Sequence, residues 1–153
     1  MLSKKAKYAL IALTCLARRY GEGPVLISEL AQKERIPKKF LELILLELKN
    51  QGYLQSKKGK GGGYSLRKSP EEITLGHVIR IIDGPLAPVP CVSLTAYQKC
   101  DECSDERRCG IRLVMKDVRD AIADILDKTS LQDVIRRIEA ATEKEIEGFM
   151  YHI

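Results

Sequence analysis

Three observations predict a mainly α fold in which a winged helix-turn-helix with a small β-hairpin wing precedes a long dimerisation helix. Two helical apolar patterns meet across the tight Glu34-Arg35-Ile36 turn. A lysine- and glycine-rich segment, residues 57–63, lies between two short strand patterns. Beyond them an apolar seam repeats at three- and four-residue steps from Ile111 to Ile125, the period of a helix that buries one stripe against a partner.

Each element follows from local chemistry. Residues 3–20 read as a first helix, with Tyr8, Ile11, Ala12, Cys15 and Leu16 on one face. Gly21-Glu22-Gly23-Pro24 breaks it. Ser28 is expected to cap a short helix, 29–33, with Leu30 and Ala31 inward. Pro37 opens the next helix, where its missing N–H is harmless, and Gly52 ends it. Phe40, Leu41, Ile44, Leu45 and Leu48 form the buried stripe of that helix; Leu43 and Leu46 fit it less well. Residues 53–56 and 64–66 pair as strands, with Leu54 and Leu66 toward the core. Thr74 caps a helix through Val78, Ile79, Ile81 and Ile82, closed by Asp83-Gly84-Pro85. Pro85, Pro88 and Pro90 enforce an extended connection, and 91–109 has no apolar period and reads as a loop. The long helix spans 110–128 with Ile111, Val114, Val118, Ala121 or Ile122, and Ile125 on its seam. Ser130 caps a last helix carrying Leu131, Val134, Ile135 and Ile138, while 143–153, including His152, is expected to fray. The expected organisation is one compact unit: a winged-helix part, 1–84, a cysteine-bearing loop, 85–109, and dimerisation and C-terminal helices, 110–153.

With 153 residues, 44% of them hydrophobic, the chain can bury a sizeable core. Its net charge of +5 is uneven. Residues 1–70 carry 15 Lys and Arg against 5 Asp and Glu, a net of +10; residues 71–153 carry 11 against 16, a net of −5. The first part is therefore the one suited to a polyanion. Lys4, Lys5 and Lys7 before an apolar run imitate an export signal, but Arg18 and Arg19 follow at once without a small-x-small cleavage site. No segment approaches the ~20 apolar residues of a membrane span, so a cytoplasmic protein with no membrane partner is expected. In a reducing compartment five cysteines, an odd number, favour metal or redox chemistry over a disulfide framework.

Duplex DNA is the polyanion that a helix-turn-helix serves. Lys38, Lys39 and Glu42 stand at the start of the second helix of the motif, where base edges are reached. Lysine donates to guanine, and a carboxylate accepts from cytosine N4. Lys57, Lys58 and Lys60 at the hairpin tip suit phosphates or a narrow minor groove. Lys4, Lys5 and Lys7 are further phosphate candidates, and Ser28 offers a helix N-terminal N–H. The glycine run is no P-loop, since Gly61 stands where Ser or Thr is needed; the dinucleotide fingerprint fails at Tyr64. A flexible wing turn is the better account. A winged helix used to bind protein is the competing reading. No Ser-His-Asp or Cys-His pairing and no paired carboxylates point to an enzyme.

Cys100 and Cys103, two residues apart in the x2 sense, can share one metal; Cys109 adds a third sulfur and Cys91 a fourth. Four thiolates suit tetrahedral zinc or an iron–sulfur cluster, and ligand softness does not separate the two. A third reading is a metal-free thiol switch. Arg107, Arg108 and Arg112 are expected to stabilise thiolates. Cys15 reads as a core residue, and His77 as one that caps or packs.

The runs KKAKYALIALTCL, RIPKKFLELILLELKNQGYLQSKKGKGGGYSL and TLGHVIRIIDG, with a cysteine loop leading into a long helix, resemble the Rrf2 family of bacterial regulators over nearly the whole chain. The resemblance implies a homodimeric winged-helix transcription factor whose long helix crosses its partner, and a repressor rather than an activator is the expectation. It implies double-stranded DNA as ligand, with operator half-sites one or more turns of ~34 Å apart. In cluster-bearing members three cysteines ligate iron, and Cys91, Cys103 and Cys109 match them. Glu42 falls where such members use a glutamate in DNA discrimination, and Lys58 where they carry a basic wing residue. Two departures stand out. The gap from Cys91 to Cys103 is longer and contains Cys100, and Arg112 stands where a histidine ligand is found. Either Cys100 completes an all-cysteine site or Cys91 lies outside the ligand set; some members carry no cluster and answer through a partner protein.

Overall fold

The computed structural model describes residues 1–151; His152 lies outside them. Helix α1 (Lys4–Arg18) is the hub, with α2, α3, α4, α6 and the second wing strand all packed on it. That crowding explains why Ala6, Ala9, Ala12, Leu13, Cys15, Leu16 and Ala17 are all buried. The expected face is corrected accordingly. Small alanines line the close approaches, and Tyr8 and Ile11 sit half-buried at the margin. The Ser3 hydroxyl caps α1 by accepting from the Ala6 N–H at 3.0 Å.

Helices α2 (Ile27–Glu34) and α3 (Lys38–Asn50) form the helix-turn-helix, joined through Arg35 in the left-handed region at φ 54°. Ser28 does not cap α2. Leu26 holds that position without a side-chain hydrogen bond. The entry is fixed instead by tertiary pairing. Val25 N–H donates to Tyr64 O at 2.8 Å, and Tyr64 N–H donates back to Val25 O at 2.9 Å.

Strands β1 (Leu54–Lys57) and β2 (Gly63–Leu66) pair antiparallel, with Leu54 opposite Leu66 and both buried. Gly59 and Gly61 take positive φ in the turn. Gly63 is needed for a different reason: a Cβ there would lie 2.2 Å from the Val25 carbonyl oxygen. The wing glycines therefore serve chain crossing as well as flexibility.

Helix α4 (Leu75–Asp83) is capped by Thr74, as expected. The segment after it is not wholly irregular, since Pro90–Val92 forms a 3-10 turn. Helix α5 (Gly110–Lys128) follows, then α6 (Leu131–Met150), whose start is a capping box between Ser130 and Asp133. Helix α6 runs on to Met150, through most of the stretch that the sequence leaves weakly patterned. Its exposed last turns are rich in Glu, Lys and Ala, whose helix propensity holds them without core contact. Leu131 and Ile135 return to the core against α1. The end of α5 is tied to α4. Leu75 N–H donates to Thr129 O and Leu131 N–H to Ile73 O, each at 2.9 Å. Arg80 makes a two-pronged contact with Asp127 at 2.6 and 2.8 Å. Gly76 admits that carboxylate, since a Cβ would meet it at 1.9 Å.

Candidate nucleic-acid interface and cysteine pocket

The basic part of the chain presents its charge on three elements. Lys38, Lys39 and Glu42 are exposed on the first turns of α3, and Lys57, Lys58 and Lys60 are exposed on the wing. Lys4 and Lys7 are exposed at the start of α1, but Lys5 is half-buried and ion-paired with Glu47 at 2.5 Å. That pair removes Lys5 from the free cations. Ser28 lies exposed in the first turn of α2, where backbone N–H groups have no intrahelical acceptor. Leu43 and Leu46, which fit the buried stripe poorly in the sequence, are exposed on α3.

The four loop cysteines come to one place. Cys91, Cys100, Cys103 and Cys109 all line an open-sided cavity of about 510 Å³, together with Val89, Gln98, Ile111 and Arg112. Cys15 is elsewhere, buried in the core, where desolvation raises its pKa. His77 is exposed on α4, away from the sulfurs; its backbone N–H donates to the capping Thr74 Oγ1 at 3.4 Å.

Cys109 occupies the N-cap of α5. Its pKa is lowered first by the backbone N–H of Arg112, with further help from Cys103 and the Ile111 N–H. Desolvation pushes Cys103 the other way, reinforced by its hydrogen bond with Cys109. The two shifts run in opposite directions, so Cys109 is the more readily deprotonated sulfur of the pair. The arginines act differently from the sequence expectation. Arg107 and Arg108 are exposed, and the charge of Arg112 is a smaller influence on Cys109 than its own backbone N–H.

Two arginines one heptad apart on α5 hold the Cys91 turn. Arg112 Nε donates to Cys91 O at 3.3 Å, and Arg119 Nη1 donates to Val92 O at 2.6 Å. Arg119 is buried, and its remaining donors meet Asp120. Sequence reading missed it because a charged residue beside an apolar seam reads as solvated; its seven-residue spacing from Arg112 was the available signal. Tyr97 donates to the Glu106 carboxylate, stapling the loop across its width.

The donor chemistry fits an iron–sulfur cluster or zinc: up to four soft thiols facing one cavity. Among the described residues no three His, Cys, Asp or Glu side chains already stand at metal-holding spacing. Nor, among them, is any helix long and apolar enough to cross a membrane.

A helix-turn-helix with a basic wing, followed by a long helix, defines a winged-helix DNA-binding regulator rather than an enzyme. The model of the Rrf2 family, described as an iron-dependent transcriptional regulator, matches residues 2–137, and the chain belongs to that family. It is 44% identical over 138 residues to an rrf2-like HTH-type transcriptional regulator of Rhodobacter capsulatus, covering 88% of this chain and 92% of that protein. It is 34% identical over 152 residues to the HTH-type transcriptional regulator CymR of Bacillus subtilis, covering 99% of each. Among solved structures, CymR of B. subtilis, named the global cysteine regulator, aligns with a TM-score of 0.72 at 31% identity over 88% of this chain and 95% of that one. The IscR of T. potens aligns with a TM-score of 0.71 at 28% identity over 92% and 90%.

Proposed function

We propose that the protein is a homodimeric repressor that sets paired α3 helices into successive major grooves and whose hold on DNA answers to chemistry at the cysteine pocket. The observation that carries this reading is the position of α5. Its N-terminus bears Cys109 and holds the Cys91 turn, its middle carries an uncovered apolar seam, and its C-terminus is clamped to α4 of the winged helix. A change at the pocket therefore has a rigid element through which to reorient the DNA-reading parts. In this reading residues 1–84 bind DNA, 85–109 sense, and 110–153 supply dimer contacts.

Cys91, Cys103 and Cys109, with Cys100 as a fourth donor, would hold the cluster that the family's iron dependence suggests. When bound, such a cluster supplies a redox-active, net negative centre. The chain's own residues do the rest. Arg112 and Arg119 fix the Cys91–Val92 turn on α5, the α5 N-terminus lowers the pKa of Cys109, and the Tyr97–Glu106 contact limits the loop's travel. A second reading is favoured by the adjacency of Cys103 and Cys109. A peroxide oxidant joins the two sulfurs as a disulfide, the two thiol protons leaving as the peroxide is reduced to water.

Anaerobic purification tests both. Iron and sulfide bound with visible absorbance, and lost in a Cys91→Ser/Cys103→Ser/Cys109→Ser variant, are expected for the cluster. Metal-free protein that forms the 103–109 disulfide with peroxide is expected for the thiol switch, and stoichiometric zinc insensitive to oxidant would mark a structural site instead. In either sensory case, the two states should differ about 5–150-fold in affinity for a selected duplex. Equal affinity in every state overturns the sensory role and leaves a plain regulator.

A further inference from the structure

We propose that Leu43 and Leu46 read thymine 5-methyl groups in the major groove, so that α3 selects A·T pairs by apolar contact beside its polar contacts. The inference rests on the DNA-binding reading and deepens it. Helix α3 buries Leu41, Ile44, Leu45 and Leu48. At 3.6 residues per turn the line opposite that stripe runs through Lys39, Leu43, Leu46 and Asn50, and all four are exposed. Lys38, Glu42 and Lys49 lie on one flank. The other flank meets α1, where Glu47 pairs with Lys5 and Phe40 packs edge-on against Tyr8. The residues singled out from sequence, Lys38, Lys39 and Glu42, therefore cover one side and one end of the outward face. Its centre is two leucines, 63% and 47% exposed.

What would cover them follows from the surroundings. Lys38, Lys39 and Lys49, against the one exposed carboxylate of Glu42, frame the leucines on α3, and Lys57, Lys58 and Lys60 are exposed on the wing that follows it, so the surroundings are net positive. A second copy seated here would bring like charges against like, whereas duplex phosphates neutralise them. In the major groove the apolar group that a base edge presents is the thymine methyl. A leucine side chain has no donor or acceptor, so it gains by covering that methyl. Against cytosine it covers the N4 amino group without offering it an acceptor, which disfavours a C·G pair.

The test uses the full chain and a duplex enriched by it from a randomised library. Each thymine of that duplex is replaced in turn by uracil, which removes the methyl alone, and binding is followed by fluorescence anisotropy. At one or two thymines per half-site the replacement should weaken wild-type binding about three- to five-fold per methyl. In Leu43→Ala or Leu46→Ala, the thymine and uracil duplexes should bind alike at the corresponding position. Both variants should keep the wild-type circular dichroism spectrum and oligomeric state, since neither leucine is in the core. Uracil without effect on the wild type, or with the same effect on both variants, overturns the inference while leaving DNA binding intact. Loss of the dimer in either variant overturns it in favour of a protein contact. Failure of the wild type to enrich any duplex removes the DNA-binding reading and this inference together.

Discussion

The apolar stripes of α1 and α3 are covered within the chain, and that of α5 is not. Leu13, Leu16, Leu41, Ile44, Leu45 and Leu48 are fully or almost fully buried, whereas Ile111, Leu113, Val114 and Ile125 stand open to solvent on a helix whose one buried residue is an arginine. Both regions have helical periodicity, so periodicity specifies an apolar face and says nothing about what covers it. The two regions are also held by different forces. The winged helix is held by close packing, while the cysteine loop is held by a few directed contacts: Arg112 to Cys91, Arg119 to Val92, and Tyr97 to Glu106. A loop held that way can change shape without unfolding the part that reads DNA.

The largest expected effect tests this contrast directly. Leu45→Ala should cost about 2–5 kcal/mol of unfolding free energy, the range for a fully buried leucine. Val114→Ala, at 57% exposure, should change the stability of dilute monomer by less than about 0.5 kcal/mol and yet weaken self-association. Urea unfolding with light scattering across a concentration series checks both. Equal losses in the monomer would mean that α5 is packed within the chain after all.

Next comes the loop clamp. Arg119→Met removes the donor to Val92 O and should cost about 1–3 kcal/mol, the scale for hydrogen bonds to charged groups and for a buried acceptor left unpaired. The sharper readout is chemical. Iodoacetamide labelling of Cys91, followed by mass spectrometry, should accelerate several-fold in the variant, while Cys100, already exposed, should be unchanged. Arg119→Lys should restore part of the slow labelling. Unchanged Cys91 labelling in the methionine variant would show that packing, not Arg119, holds the turn.

A smaller effect belongs to the joint between the two regions. Arg80 holds the Asp127 carboxyl below its ordinary pKa, chiefly through their hydrogen bonds. A group whose pKa is depressed by folding stabilises the fold above its unfolded value, ~3.9, and loses that contribution as pH falls through the folded value. Both side chains are about a third exposed, so the pair should contribute only about 0.5–1 kcal/mol near pH 7. Asp127→Asn should therefore lower stability at pH 7 and narrow its difference from wild type below about pH 4. A constant difference across that range would place the effect in packing against Gly76 rather than in charge.

Much of the winged helix was legible in the sequence because its signals are local. Thr74 and Ser130 sit at their caps, Gly52 follows α3, and Leu54 faces Leu66 across the hairpin. The misreadings came where a distant segment decides. The start of α2 is set by the Val25–Tyr64 bridge rather than by Ser28, and the alanines of α1 are buried because five elements converge on it. For the candidate site, composition and spacing marked the four cysteines that share a cavity. They could not indicate that Cys103 and Cys109 are neighbours, or that a buried arginine holds the Val92 carbonyl beside Cys91, since both depend on the path of a loop with no repeating pattern.

The smallest effect sharpens the comparison within the DNA-reading region itself. Arg35 joins α2 to α3 in the left-handed conformation, which costs a residue with a Cβ about 1–2 kcal/mol. Glycine avoids that strain but loses about 0.5–1 kcal/mol through the greater freedom of the unfolded chain. Arg35→Gly should therefore stabilise the fold by about 0.5 kcal/mol, raising Tm by about 1–2 °C for a domain of this size. The exposed guanidinium stands at the entrance to α3, next to the cations expected to meet phosphate. If it is one of them, the same variant should bind a selected duplex more weakly and reduce the slope of log affinity against log salt by about 1. A gain in stability with an unchanged salt slope would leave Arg35 as strain that contributes nothing to DNA binding. A gain in stability with a shallower slope would identify a position where the reading head keeps a strained turn in exchange for a phosphate contact.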